Sequence, residues 1–314
     1  MTSSTGPVTV AAVQATPVFL DRDATTDKAC TLIAEAGAAG ARLILFPEAF
    51  IPAYPDWVWR LPAWRDDLYI TRLYEQAVTV PGPAVARLGA AARAAGAYVA
   101  VGVDELHGGT LYNSLLYFGP DGSLVGRHRK LMPTGGERTV WGFGDGSTLQ
   151  VVRTPFGTVG GLICWENYMP LARAAVYARG VDIYLAPTWD NDDVWPATMQ
   201  HIAKEGRVYV VAVSPVLRDG DIPAELRGDI YATGPEGEAT WCSRGNGMIV
   251  APGGEVLAGP VRDKEAIVYA EIDVAEVRRH RRMFDPTGHY ARPDVFTLTV
   301  DARPKPAVRF DEDI

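Results

Sequence analysis

Residues 161–170 read GLICWENYMP: an apolar run, a cysteine, then a proline that opens a helical pattern. The preceding stretch TVGGLI (158–163) is apolar and β-branched with internal glycines, the composition of a buried strand. From Pro170 to Arg179 the pattern is helical, with proline in the first turn and Gly180 just beyond the end, the usual start and stop chemistry. Cys164 therefore falls at a strand-to-helix turn, where side chains project from the carboxyl end of a sheet near a helix N-terminus. That position favours a thiolate. The competing reading is a small buried hydrophobe, the common fate of a lone cysteine.

Working outward, short β-rich runs recur: VTVAAVQ, ARLILF, AYVAVGV, SLLYF, LQVVRT, TVGGLI, DIYLAP, VYVVAV, GMIVA and AIVYAEID. Most are bounded by Gly or Pro turn signals. Helical segments are expected at 23–39, 84–95, 170–179, 196–205 and 274–283, and Gly206 is expected to stop the fourth. Two stretches, LLYFGPDGSLVGRHRK and MIVAPGGEVLAG, place a Gly/Pro turn between strand-like runs and read as hairpins. The sheets are therefore mixed. Strands covered by helices on one face need an apolar partner for the other, so two such sheets pack together. The expected fold is α/β, a four-layer α-β-β-α sandwich forming a single domain over residues 1–314, with 301–314 as a C-terminal tail lying over a surface or a neighbouring subunit.

The 314 residues are 47% hydrophobic, with 38 acidic against 30 basic side chains and a net charge of -8. That balance repels a phosphate backbone, so nucleic acid is not an expected partner. The basic cluster at 278–282 reads as the solvated, dipole-favoured end of a helix. Three cysteines without a close pair exclude a disulfide framework and point to a reducing cytoplasm. The N-terminal stretch lacks a basic region, and VTVAAV is too short to span a membrane. His107, His128, His201, His280 and His289 show no paired spacing, so neither a metal nor a cofactor is expected.

Two further stretches carry chemistry. LILFPEAF (43–50) ends an apolar strand at Glu48, where burial raises proton affinity and lets a carboxylate act as a base toward a thiol. In RHRKLMPTGGERTVWGFGDG (127–146) a hairpin strand ends in Lys130 and a glycine-rich loop carries Glu137. A lysine so placed supplies a fixed charge for a developing anion. Each has a bland alternative, a salt-bridge partner or a strand-end cation.

Together these stretches resemble the nitrilase superfamily. The resemblance implies a four-layer sandwich with Glu48 in FPEAF as general base, Lys130 in HRKLMPT as oxyanion-stabilising cation, Cys164 in CWEN as nucleophile and Glu137 in GGERTVWG as a supporting glutamate. It runs from about residue 10 to 300 and is most similar to the nitrilase branch, through CWENYMPLARAAVYARGVDIYLAPTWD and MQHIAKEGRVYVVAVSP. The implied reaction is hydrolysis of an organic nitrile to acid and ammonia through a thioimidate and a thioester. The alternatives are an aliphatic amidase, a cyanide-hydrating enzyme, or a catalytically silent assembly protein. The resemblance also implies a homo-oligomer, a dimer or larger spiral, with the irregular stretch 218–238 as a possible subunit contact. Trp165, Trp189 and Tyr54 are candidate substrate contacts. The aromatic stretch AYPDWVWRLPAW (53–64), with Trp141 and Trp189, suits an aromatic substrate or a packed neighbour equally well. Cys30 reads as core, and Cys242 has no motif beside it.

Overall fold

The structure, a computed structural model, describes residues 6–231, 240–306 and 308. Its strands in chain order are β1 (Val8–Gln14), β2 (Ala41–Leu45), β3 (Val78–Thr79), β4 (Tyr98–His107), β5 (Thr110–Phe118), β6 (Leu124–Arg129), β7 (Val152–Thr154), β8 (Gly157–Gly161), β9 (Ile183–Pro187), β10 (Tyr209–Val213), β11 (Val216–Arg218), β12 (Trp241–Arg244), β13 (Gly247–Val250), β14 (Val256–Val261) and β15 (Ala266–Ile272). The α-helices are α1 (Arg22–Ala38), α2 (Asp67–Gln76), α3 (Pro83–Ala95), α4 (Pro170–Ala178), α5 (Trp195–Gly206), α6 (Ala224–Arg227) and α7 (Ala275–Arg281).

One sheet runs β15-β1-β2-β4-β5-β6, with β3 beside β4, and the other runs β14-β13-β10-β9-β8-β7. In each, parallel pairs at the centre are flanked by antiparallel pairs, including the two hairpins read from sequence. Period-two alternation separates the faces. Val10 and Ala12 of β1 point between the sheets to meet Leu185, Val211 and Ile249, while Ala11 and Val13 point outward to Ile33 of α1 and Leu88 of α3. On the far side Tyr184, Ala186 and Val210 meet Val176 of α4 and Met199 and Ile202 of α5. Three apolar cores thus lie between four layers, the expected α-β-β-α sandwich.

The five expected helices form. Gly206, however, is the last residue of α5 rather than its stop. Arg207 takes the left-handed conformation with φ 50°, and a Cβ on Gly206 would come within 2.4 Å of the Tyr177 ring on α4. Its role is close helix packing. Not foreseen were α2, which buries only Tyr69 and Leu73, the two-residue β3, and the β11/β12 pair. The irregular stretch from 218 also contains the short helix α6, while 232–239 lie outside the described residues. In the aromatic stretch Trp57 is fully buried against Phe19 and Tyr69 within this chain. Trp64 is exposed.

The first and last strands among the described residues are tied together. β1 pairs along its whole length with β15, from Val8 opposite Ile272 to Gln14 opposite Ala266. The Gln14 side chain accepts from the backbone N–H groups of Asn246 and Gly247 and donates to the carbonyl of Lys264, joining β1 to the second sheet. Of the tail, Lys305 donates its backbone N–H to Asp145 at 2.7 Å, and 307 and 309–314 lie outside the described residues. No described helix is long and apolar enough to cross a membrane.

Candidate active site

Glu48 follows β2 in a loop laid across β4. Gly102 of β4 makes this possible, since a Cβ there would sit 2.2 Å from the Pro47 carbonyl oxygen. Lys130 continues β6 along β5, its N–H donating to the Asn113 carbonyl at 2.8 Å. Glu137 lies in a 3-10 turn, Gly135–Thr139, that its own carboxylate closes by accepting the Thr134 N–H at 2.6 Å. Cys164 heads a second such turn, Cys164–Tyr168, with φ 53°. This conformation is uncommon for a residue with a side chain and costs on the order of 1 kcal/mol. Asn167 holds it, donating to the carbonyls of Leu162 and Cys164 and accepting from Tyr184.

The four sequence candidates meet. The Lys130 ammonium lies 2.7 Å from Glu48 Oε1 and 2.7 Å from Glu137 Oε2, with all three side chains essentially inaccessible to solvent. An oxygen of each carboxylate and Cys164 Sγ lie within 4.8 Å of one another. A donor set of two carboxylates and a sulfur could hold a metal ion, but here the ammonium fills the space between the carboxylates. Glu48 also accepts from Asn113 Nδ2 at 2.7 Å and from the Trp189 backbone N–H at 2.6 Å. Tyr54 donates to Glu137 Oε1 at 2.7 Å.

Burial pushes the Glu48 carboxyl above its ordinary range; Lys130 opposes this and Glu137 reinforces it. For Lys130 burial disfavours the charge, yet Glu48, the sulfur and Glu137 more than offset it, so the ammonium is held. Burial and then Glu48 push the Cys164 thiol up, against the pull of Lys130. The expectation of a turn-stabilised thiolate is therefore corrected. In a dry site with two carboxylates nearby the resting group is a neutral thiol, and it needs a base to become a nucleophile.

Of the candidate substrate contacts, Tyr54 and Trp189 are buried and stacked at 4.2 Å with an interplanar angle of 6°. They form a wall behind the carboxylates. Trp165 is half exposed, its indole N–H donating to Asp190. It borders a cleft of about 410 Å³ with Trp59, Met132, Thr134, Arg138 and Met169. Trp141 lies with its ring centroid 5.6 Å from the Lys130 ammonium and donates to the buried Asp104.

Several supporting residues escaped the sequence reading. Asn113 lies in β5 just before the run SLLYF, a buried-strand polar residue whose partner the sequence could not name. Glu166, two positions after Cys164, is wholly buried and accepts the backbone N–H groups of Leu131 and Ile163, each at 2.7 Å. His128, seen from sequence only as a non-ligand, lies 3.0 Å from Glu166 Oε2. Cys30 bonds the Arg87 carbonyl between α1 and α3, and Cys242 lies on β12. Neither approaches the cluster.

A model of the carbon-nitrogen hydrolase family matches residues 9–282. An aliphatic nitrilase of Sinorhizobium fredii is 48% identical over 305 residues, covering 95% of this chain and 97% of the relative. A bifunctional nitrilase/nitrile hydratase of Lupinus angustifolius is 44% identical over 308 residues, covering 95% and 87%. Among solved structures, a carbon-nitrogen hydrolase from Helicobacter pylori superposes with a TM-score of 0.72 at 22% identity, covering 93% of this chain and 97% of that one.

Proposed function

This chain belongs to the carbon-nitrogen hydrolase family, and we propose that within it the protein is a nitrilase that converts an organic nitrile and two waters to a carboxylic acid and ammonia. The observation that carries this reading is the Lys130 ammonium held between two buried carboxylates, with the Cys164 sulfur within 4.8 Å of oxygens of both. A buried thiol needs a base beside it, and an attacked nitrile nitrogen needs a nearby cation and a proton. The cluster offers all three.

In this mechanism Glu48 takes the Cys164 proton as the sulfur bonds to the nitrile carbon. One C–N π pair moves to nitrogen, which is steadied by Lys130 and receives the proton from Glu48, giving a thioimidate. Water, deprotonated by Glu48, adds to the same carbon. Glu48 returns that proton to the nitrogen, and the proton of the added hydroxyl follows through Glu48 as the C–N bond breaks, so ammonia departs and a thioester remains. A second water, activated the same way, displaces the sulfur, which regains its proton, and the acid departs. Glu137 fixes Lys130 and reinforces the basicity of Glu48.

The test is mass spectrometry of enzyme quenched in acid during turnover. An acyl or imidoyl adduct on the Cys164 peptide, with one ammonia per acid, is expected. Sustained turnover without that adduct, or an active Cys164→Ala variant, refutes the mechanism. Because the lupin relative is named bifunctional, product analysis should include the amide. Amide as sole product selects a hydratase, and turnover of amides but not nitriles selects an amidase. We further propose a single domain, a cytoplasmic location, to which three free cysteines lend support, and a homo-oligomer. Light scattering at micromolar concentration should show at least a dimer.

A further inference from the structure

The two halves of the site come from different places: Lys130 at the end of β6, and Cys164 after β8 in the second sheet. Glu166 spans the gap. Its Oε1 accepts the N–H of Leu131, next to Lys130, and its Oε2 accepts the N–H of Ile163, next to Cys164, each at 2.7 Å. His128 Nε2 faces both oxygens at 3.2 and 3.0 Å. His128 Nδ1 faces the Thr148 carbonyl at 3.2 Å, and the Thr148 hydroxyl directs its own proton to the Asp145 carbonyl. Both ring nitrogens thus face oxygens, Nδ1 the Thr148 carbonyl and hydroxyl and Nε2 the Glu166 carboxylate, an arrangement that suits a protonated ring beside a carboxylate. Side chains two residues apart share a strand face, so His128 and Lys130 project together from the β6 end. Glu166 and Cys164 share one turn.

We propose that Glu166 and His128 are positioning residues that clamp the Lys130 strand end to the Cys164 turn and thereby set the distance between cation and nucleophile for the reaction. The inference rests on the nitrilase reading for its substrate but not for its geometry. Glu166 is an acceptor that three donors require at once. An amide in its place turns an N–H toward Leu131 or Ile163, and that bond is lost. A misplacement of about 1 Å between reacting groups costs about 10²-fold in rate.

The experiment compares Glu166→Gln, His128→Ala, His128→Gln and the Glu166→Gln/His128→Ala double variant, using propionitrile turnover and, separately, the rate of Cys164 alkylation by iodoacetamide. Expected are a kcat loss of about 10²-fold for Glu166→Gln with KM within about threefold, and partial recovery in His128→Gln over His128→Ala, because glutamine restores a donor to Glu166. The double variant should lose no more than the worse single one, and alkylation should slow in the same order. Unchanged kcat in soluble variants, losses that multiply, or alkylation that does not slow overturn the clamp. Insoluble protein from both Glu166→Gln and His128→Gln also overturns it, since the pair would then govern folding rather than site geometry. A wild-type enzyme inert toward every nitrile refutes the nitrilase reading alone, and alkylation still judges the clamp.

Discussion

Glu137→Gln is a nearly isosteric change that removes one charge from a buried cluster. Glutamine can keep its oxygen toward Lys130 and Thr134 and turn its amide to Tyr54, so the turn at Gly135–Thr139 should survive. The electrostatic change is large. Charges 4.8 Å apart, the outer limit for these atoms, interact by about 3.5 kcal/mol at an effective dielectric of about 20. Glu137 reinforces the proton affinity of Glu48 and of Cys164, so its neutralisation weakens the base. Lys130, then serving Glu48 alone, lowers the proton affinity of Glu48 further, while the matching fall in the proton affinity of Cys164 offsets part of the loss. The net expectation is a kcat lower by on the order of 10 to 10²-fold and an acid limb of kcat/KM moved to lower pH by about one unit or more. The assay is ammonia release from pH 4 to 10 with the melting temperature measured alongside. A drop in kcat with the acid limb unmoved would show that Glu137 does not act through the charge on Glu48, and an unchanged kcat would reduce it to a structural ion pair.

Cys164→Ala should abolish turnover while Cys30→Ala and Cys242→Ala keep it, and ultraviolet titration should show no Cys164 thiolate below its ordinary value of 9.0, since burial pushes it up. Asn113→Leu removes a donor from Glu48 and should lower kcat/KM by about 10-fold, the equivalent of about 1.5 kcal/mol for a hydrogen bond to a charged group, read from steady-state kinetics at constant fold. Gly161→Ala places a Cβ 1.9 Å from the Leu185 carbonyl oxygen and should destabilise by about 1–3 kcal/mol or more, seen in chemical denaturation. The pH dependence of stability should report the buried ion pair. Burial disfavours the charge of Glu166, but His128 and two backbone N–H groups hold its carboxyl below 4.5. Burial likewise disfavours the His128 charge, but Glu166 holds it above 6.5. The Glu166 contribution is full above 4.5 and lost as pH falls through its lowered folded value; the His128 contribution is full below 6.5 and lost as pH rises through its raised folded value. Wild type should therefore exceed His128→Gln most between about 4.5 and 6.5, and an excess that does not shrink on either side would refute the pairing.

Much of this molecule was legible because its signals are local. Val10 to Val13 form a continuous apolar run, the mark of a strand buried on both faces, and both hairpins carry their turns in plain view. Glu48 and Cys164 each follow an apolar run, which marks a polar group entering a buried place, whereas Lys130 ends the charged stretch RHRK and stood out only through the family motif. What was not legible depends on tertiary partners. α2 has only two buried side chains, too few for a periodic stripe. Asn113 and Glu166 gain meaning only from donors and acceptors far away in sequence. The thiolate expectation failed because local backbone argued for it, whereas burial and two carboxylates from distant loops decide the charge state.

The pairing of β1 with β15 has a temporal side. A ribosome releases β1 first, and its antiparallel neighbour emerges only after some 250 further residues, the separation that the Gln14 to Lys264 bond spans. Until then β1 has one open edge and Gln14 lacks three of its partners, so the nascent chain carries an apolar strand with one unpaired edge while those residues are made. Such an edge is a template for wrong pairing. Completion of the first sheet is thereby deferred until β15 emerges, and a truncated message that stops before residue 266 yields a product with the catalytic motifs present and one edge of β1 still exposed.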